Sequence, residues 1–244
     1  MISSVGFKTD KGMLRGGNED SLFVMPEQNL YIVADGVGGH NSGELASRMA
    51  VGYMAQYVAM HPISEVKTKK ELKKYFKECF EGANNLVFTK SSEEADNSGM
   101  ATTGVLCYIR SGWAYVVNVG DSRAYLIREG VVRQVTDDHT YVNEMIHSGL
   151  LSPEDAKNHP DKNMITRAIG GEKNVNPDFF QFEVCKDDII ILCSDGLYGE
   201  LPDGRMGEIV ERTSSMHGLA KNLVDEANKC GGKDNISVIC IKIL

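Results

Sequence analysis

The 244-residue chain is predicted to have an α+β fold, a sandwich of two antiparallel β-sheets flanked by α-helices on both faces. Short apolar runs bounded by turn residues dominate the sequence, and neighbouring runs are too close together for a crossover connection, so the strands should pair antiparallel. Amphipathic helices come in blocks before and after the central strands. Strands grouped with strands and helices with helices indicate α+β, not an alternating parallel α/β fold.

The predicted strands form an early group, a central group of four and two late runs. Ser111-Gly112 and Glu129-Gly130 separate neighbours in the central group, as hairpin turns do. The predicted strands are, in order, 3–9, 21–25, 30–34, 103–110, 113–120, 123–128, 131–136, 187–194 and 235–244.

Helical periodicity is clearest where Leu72, Phe76 and Phe80 fall on one apolar stripe. The opposite face carries lysines and glutamates, and the basic run "KTKKELKK" is interpreted as a solvated face. Gly231 ends the last helix, and Pro153 suits the first turn of a short one. The main predicted helices cover 44–60, 69–88 and 219–229.

Composition predicts one globular domain over residues 1–244. The chain is 42% apolar and 25% charged, contains no linker-like tract and is long enough to bury a substantial core. No apolar run approaches the length of a membrane span, and no signal peptide is visible. We therefore expect a cytoplasmic protein with no membrane partner.

The net charge and the spacing of the cysteines argue against several classes of protein. A formal net charge of −8 argues against non-specific nucleic-acid binding, which requires positive charge facing the phosphates. The six cysteines form no C-x-x-C pair, so neither a disulfide scaffold nor a zinc site is indicated, and buried reduced thiols are expected. The C-x5-R pattern of cysteine phosphatases is also absent.

Acidic residues follow three of the apolar runs. Asp35 ends "LYIVAD", Asp195 follows "IIILCS", and Asp121 follows "YVVNVG". Neither a P-loop nor a Rossmann glycine pattern is present. Strand ends are rigid, so such carboxylates can converge on a hard cation such as Mg²⁺ or Mn²⁺. Asp-Gly is also a common turn pair, and the interpretation therefore depends on the joint occurrence.

Two further strings strengthen that interpretation. "RGGNED", from Arg15 to Asp20, places a guanidinium, which matches phosphate oxygens, beside two carboxylates. "GGKDNISV" places Asp234 at the start of the last strand. Taken singly, the first could be a surface turn with an ion pair and the second an Asx-turn.

Together these strings resemble the metal-dependent protein phosphatases, the PPM or type 2C serine/threonine family, in its bacterial form. The resemblance covers nearly the whole chain. It is carried, in family order, by "RGGNED", "VADGVGGH", "VGDSRAYL", "ITRAIG", "CSDGL" and "KDNISV". It implies a β-sandwich with a centre for two Mn²⁺ or Mg²⁺ ions at one end and a weaker site there for a third.

The resemblance also implies a ligand set drawn from separate parts of the chain. The implied residues are Glu19, Asp20, Asp35, Gly36, Asp121, Asp195 and Asp234. Asp35 would bridge both ions and the carbonyl of Gly36 would join one of them. Asp195 and Asp234 would bind the other.

The remaining roles are also implied by resemblance. Glu19 would contact a metal through solvent, with Asp20 as the supporting carboxylate beside it, and Asp121 would hold the third, weaker ion. Arg15 would bind the phosphate. His40 is either the acid that protonates the leaving oxygen or an ordinary loop histidine.

Two more segments match the family. Thr102, Thr103 and Gly104 resemble its "GTT" stretch, and we expect their hydroxyls to satisfy buried backbone near the site. Residues 140–162 resemble the flap over the substrate cleft, and His139 and His159 beside or within it are interpreted as flap or packing residues.

The implied activity is hydrolysis of phosphoserine and phosphothreonine in proteins by a water or hydroxide that bridges the two ions. Phosphorylated proteins would be the substrates, a serine/threonine kinase the opposing partner, and the enzyme a monomer. Two alternatives remain at this point. One is a non-catalytic binding module on the same fold, and the other is a hydrolase of small phosphorylated molecules.

Overall fold

Two antiparallel β-sheets lie face to face in the computed structural model, which describes residues 3–38, 42–93 and 95–244. The first sheet has the order β1 (Ser3–Asp10), β11 (Ile236–Ile243), β10 (Ile189–Cys193), β7 (Arg123–Arg128) and β8 (Val131–Gln134). The second has the order β2 (Asp20–Met25), β3 (Leu30–Val37), β5 (Gly104–Arg110), β6 (Trp113–Val119) and β9 (Asp178–Glu183), and β4 (Ala101–Thr102) pairs with the end of β3.

Helices cover the outer faces of both sheets. In the described ranges the α-helices are α1 (Ser42–Met60), α2 (Lys69–Glu93), α3 (Tyr141–His147), α4 (Pro153–Ala156), α5 (Asp195–Tyr198), α6 (Asp203–Glu211) and α7 (Met216–Cys230). α1 and α2 pack on the second sheet, whereas α6 and α7 pack on the first. Within the described ranges, no helix is both long enough and apolar enough to cross a membrane.

Strands buried on both faces explain the continuous apolar runs of the sequence. Along β3, Tyr31 and Val33 point into the core between the sheets, and Ile32 points into the core beneath α1 and α2. Ile190 of β10 meets the same inter-sheet core from the other side. A layered sandwich leaves these strands no solvated face and hence no polar alternation.

The predicted hairpins are confirmed. Ser111 and Gly112 have φ of 51° and 81°, and Glu129 and Gly130 have φ of 52° and 78°. Two consecutive residues with positive φ form the type I′ turn, whose twist matches that of the flanking strands. The predicted helix end at Gly231 is also confirmed, as is the short helix that begins at Pro153 with Ser152 as its N-cap.

Strand β9 was not predicted from the sequence. Its three phenylalanines, Phe179, Phe180 and Phe182, are all only half-buried, because β9 is the last strand of its sheet and pairs on one side only, with β6. The expectation for the cysteines holds for Cys79, Cys107, Cys193 and Cys240, whereas the remaining two are exposed thiols.

Candidate metal centre and active site

Strand ends bring the predicted acidic residues to one end of the sandwich. Asp35, at the end of β3, lies opposite Asp20, at the start of β2, in the antiparallel register. β10 ends just before Asp195, and β11 begins just after Asp234. Because β10 and β11 are antiparallel neighbours, the end of β10 lies beside the start of β11. Asp121 follows β6 at the same end, where β6 pairs with β5 and β5 with β3.

A cleft of about 290 Å³ opens between these strand ends. Its lining includes most of the residues implied by the resemblance: Arg15, Glu19, Asp35, Gly36, Asp121, Asp195 and Asp234. Asp20 is not part of the lining but lies buried behind it, 8% exposed. His40 lies outside the described residues.

The end of β3 is held by two threonines, Thr102 at the end of β4 and Thr103 just after it. The hydroxyl of Thr102 donates to the carbonyl of Asp35 at 2.8 Å, and the Asp35 N–H donates to the hydroxyl of Thr103 at 2.9 Å. Both threonines are buried. Their expected role, to satisfy buried backbone near the site, is confirmed.

Helix α1 starts in contact with the acidic loop, and only glycine allows this approach. A Cβ on Gly43 would lie 2.4 Å from Oε2 of Glu19 and 2.9 Å from the carbonyl oxygen of Gly36. A Cβ on Gly36 would lie 2.1 Å from the carbonyl oxygen of Gly43. The first turn of α1 therefore packs directly against both predicted ligands.

Asn235 organises the site, and sequence reasoning gave it no role. Its side-chain oxygen accepts the N–H of Glu19 at 2.8 Å, and its amide donates to the carbonyls of Lys11 and Gly17 at 2.9 Å each. It is 3% exposed. This buried amide joins the "RGGNED" loop to the start of β11, and its position beside Asp234 was the one signal in the sequence. Asn163 and Ile165, both just beyond the flap-like segment, also line the cleft, which the sequence did not predict.

Arg15 stands at the mouth of the cleft with half of its side chain exposed and donates to Oδ2 of Asp234 at 2.7 Å. Burial lowers the pKa of Arg15, but the hydrogen bond and charge of Asp234, with help from Glu19 and Asp35, outweigh burial and raise it. The guanidinium thus stays charged and offers further N–H donors towards the cleft.

The buried carboxyl groups hold their protons unusually tightly. Burial, with the charges of Asp20 and Asp195, raises the pKa of Asp35 well above its ordinary value. Burial also raises the pKa of Asp20 to about 7 and that of Asp195 to about 6. For Asp121, burial and the charge of Asp195 raise the pKa to about 7.

Two of these carboxyls also have oxygens without a hydrogen-bond partner. Oδ2 of Asp20 accepts the hydroxyl of Ser194 at 2.7 Å, but Oδ1 of Asp20 and Oδ1 of Asp195 are buried and unpaired. An unpaired buried oxygen is costly, and in folded proteins such an oxygen often serves to bind an ion.

A hard divalent cation fits this set of donors. Among the described side chains, no three His, Cys, Asp or Glu residues are grouped so that they could hold an ion as they stand. This is because repulsion between their negative charges keeps the carboxylates apart, and because Arg15 donates a hydrogen bond to one oxygen of Asp234. The unpaired oxygens and the raised pKa values nevertheless favour a cation site. Small side-chain movements can bring the carboxylates together around an ion, and buried carboxylates need a compensating positive charge.

Below Asp121 lies a structural ion pair. Tyr198 donates its hydroxyl to the carbonyl of Asp121 at 3.0 Å, and its ring lies 3.5 Å from the guanidinium carbon of Arg123. Arg123 in turn donates to Asp138 through both Nε and Nη2. His139 is buried next to this pair and accepts the N–H of Gly120, so it packs as expected. These contacts fix the loop that carries Asp121.

The sequence profile of the protein phosphatase 2C family matches residues 17–229. The chain belongs to the protein phosphatase 2C family. This match confirms the predicted family and the predicted enzyme class, protein-serine/threonine phosphatase. The two antiparallel sheets described above confirm the predicted sandwich fold.

Similar proteins support this membership over the full length. The chain is 37% identical over 239 residues to the serine/threonine phosphatase stp of Listeria innocua, which covers 97% of this chain and 94% of that one. The crystal structure of Stp1 from Staphylococcus aureus matches with a TM-score of 0.92 at 29% identity, covering 100% of this chain and 96% of that one. A PstP catalytic domain solved with two manganese ions matches with a TM-score of 0.85, also at 29% identity, covering 99% and 98%.

Proposed function

We propose that this protein phosphatase hydrolyses phosphoserine and phosphothreonine in proteins at the acidic cleft, with two Mn²⁺ or Mg²⁺ ions held by its carboxylates. The observation that carries the proposal is the convergence of buried, partly unpaired carboxyl oxygens from distant parts of the chain beside a half-exposed arginine. The manganese ions of the related PstP structure are consistent with it.

Asp35, the carbonyl of Gly36, Asp195 and Asp234 are the proposed ligands for the two ions. Glu19 and the buried Asp20 support them, and Asp121 is proposed to hold a third ion. The ions would neutralise the carboxylates and lower the pKa of water, so that a nucleophile forms near neutral pH.

The protein's own contribution begins with Arg15. Its guanidinium is half-exposed at the cleft and is paired with Asp234 through Nη2, so its other N–H groups can take up the non-bridging oxygens of a phosphate. Such binding orients the phosphorus over the carboxylate cluster and stabilises the negative charge that develops in the transition state.

Two buried groups keep the site rigid during this exchange. Thr103 holds the N–H of Asp35, and Asn235 holds the N–H of Glu19, so neither carboxylate-bearing backbone has to reorganise when substrate arrives. His40 is proposed as the acid that gives a proton to the leaving serine or threonine oxygen. If His40 were instead an ordinary loop residue, its substitution would leave the activity unchanged.

In the cell, we propose that residues 1–244 act as one monomeric catalytic unit on phosphorylated proteins and oppose a serine/threonine kinase. A non-catalytic binding module would not need this convergence of carboxylates at the cleft, since buried carboxyl oxygens such as those of Asp20 and Asp195 are costly without a cation.

A phosphothreonine peptide tests this function. Phosphate release should require Mn²⁺ or Mg²⁺, stop with a chelator and fall by at least about a thousandfold in Asp195→Asn, because one carboxylate of the cluster becomes neutral. Asp203→Asn is the matched control: Asp203 is exposed at the start of α6, and its change should leave the rate intact.

The same assay separates the alternatives. Glucose 6-phosphate and AMP should be poor substrates beside the peptide. Full activity of Asp195→Asn would refute the site, whereas preference for the small phosphates would refute the proposed substrate class.

A further inference from the structure

We propose that a groove between α2 and the edge strand β9 binds an acidic segment of the phosphoprotein substrate, away from the phosphorylated residue itself. The inference rests on the proposed function. It assigns a role to Lys73, from the basic run at the start of α2, and to Lys77 one helical turn further on, neither of which the catalytic site uses.

The groove is a sizeable feature with a basic wall and an apolar floor. Its volume is about 540 Å³, larger than that of the acidic cleft. Lys73 and Lys77 of α2 form one wall, and Val117 and the half-buried Phe179 line the floor. The two lysines are one helical turn apart on the same face, so both ammonium groups can reach one extended ligand.

The positive charge of this wall is largely uncompensated. Lys73 is exposed and has no carboxylate within 4.0 Å in the described part of the chain. Lys77 faces Glu81 at 3.6 Å in an exposed pair, which contributes little in water. Asp178, the carboxylate that also lines the groove, is already bound by Arg167 at 3.1 Å and by His139. On a chain with net charge −8, this is a local basic patch.

The groove connects to the catalytic cleft. A smaller cavity of about 280 Å³ lies along residues 165–176. It shares Ile165 with the acidic cleft at one end and Asn176 with the basic groove at the other. The three cavities are therefore neighbours in a row, and this row is the path proposed for a polypeptide that runs from the phosphorylated residue to the lysines.

These features together define the occupant. An extended chain suits a row of neighbouring cavities, and carboxylates or additional phosphates complement the two lysines. Apolar residues among the acidic ones would cover Phe179. Because the charges are exposed, their contribution should be moderate and sensitive to salt.

The test compares phosphothreonine peptides that differ only in an acidic cluster, placed on either side at spacers of about four to about twelve residues, which span roughly 13 to 40 Å when extended. When the acidic cluster lies on one particular side of the phosphothreonine and the spacer exceeds a minimum length, kcat/KM should rise about three- to tenfold, mainly through a lower KM. The reference is a peptide with glutamines in place of the acidic residues. The rise should shrink in about 0.5 M salt.

Matched double variants on one helix locate the effect. Lys73→Gln/Lys77→Gln should remove the advantage of the acidic peptide. Lys70→Gln/Lys74→Gln should retain it: these lysines are also exposed on α2 but do not line the groove, and Lys74 has an equivalent pair with Glu78 at 3.5 Å. Both double variants should hydrolyse para-nitrophenyl phosphate and the neutral peptide at the wild-type rate.

The outcomes are distinguishable from those for the proposed function. If the wild type hydrolyses the neutral peptide but gains nothing from acidic residues at any spacer, or if both double variants lose the gain equally, the docking inference is overturned and the proposed function stands. If the groove instead serves a second copy of this chain, Lys73→Gln/Lys77→Gln will change the sedimentation mass and not the peptide kinetics, which also overturns it. If neither peptide is hydrolysed, both proposals fail.

Discussion

At the residue scale, the buried carboxyl of Asp20 makes the folded protein bind protons that the unfolded chain releases. Burial raises its pKa to about 7 in the folded state, against about 4 for an unfolded aspartate. The folded state therefore holds more protons between these values, and this contribution to stability is present at low pH and lost as the pH rises towards 7. The raised pKa values of Asp35, Asp121 and Asp195 act with the same sign.

The first prediction concerns Asp20→Asn in a chelator. The wild type should lose several degrees of melting temperature between about pH 5 and about pH 8, and the variant should lose clearly less, because an amide does not titrate. Differential scanning fluorimetry measures both. Asp187→Asn is the control, because Lys242 lowers the pKa of Asp187 at the surface, so its removal should not flatten the profile. Parallel profiles for wild type and Asp20→Asn would contradict the assignment of this pH dependence to Asp20.

Single residues also mark how far the sequence could predict the site. Asp35 and Asp195 were visible because each follows a strongly apolar run, and Asp234 because it precedes one. Asn235 acts through hydrogen bonds to backbone groups far along the chain, and no local pattern reveals such contacts. The similar role of Thr103 was expected only from the family resemblance. The buried position of Asp20, behind the cleft rather than in its lining, likewise depends on strand register.

At the element scale, the N-terminus of α1 sets the shape of the acidic loop. The second prediction is that Gly43→Ala lowers Mn²⁺ affinity and kcat/KM about tenfold, because its methyl group would displace Glu19 or the Gly36 carbonyl. Metal titrations of activity measure this. Gly52→Ala, in the same helix with open space around it, should raise stability by about 0.5–1 kcal/mol and leave kinetics unchanged. Equal kinetics for the two variants would show that α1 does not shape the site.

Elements were predictable where burial is strong or turn chemistry is specific. The central strands and both hairpins followed from apolar runs and X-Gly turns, and α2 from its stripe. β9 was missed because an edge strand with half-buried phenylalanines shows neither alternation nor a continuous apolar run. α5 was missed because a helix of four residues is too short for periodicity.

At the scale of the whole molecule, the site exists only when the complete sandwich has formed. Asp234 meets Arg15 across 219 positions of sequence, and Ser194 meets Asp20 across 174. Both sheets contribute, and the inter-sheet core fixes their relation. A cation that binds these groups therefore binds only the folded state and should stabilise it by mass action.

The central claim is that these distant carboxylates jointly bind divalent cations, and calorimetric titration of Mn²⁺ into chelator-treated protein tests it most directly. We predict two ions bound, with protons released to the buffer because carboxyls of raised pKa must ionise, and the loss of this binding in folded Asp35→Asn. An Asp35→Asn protein that binds the same number of ions with the same affinity, or a wild type that binds none, would contradict the account.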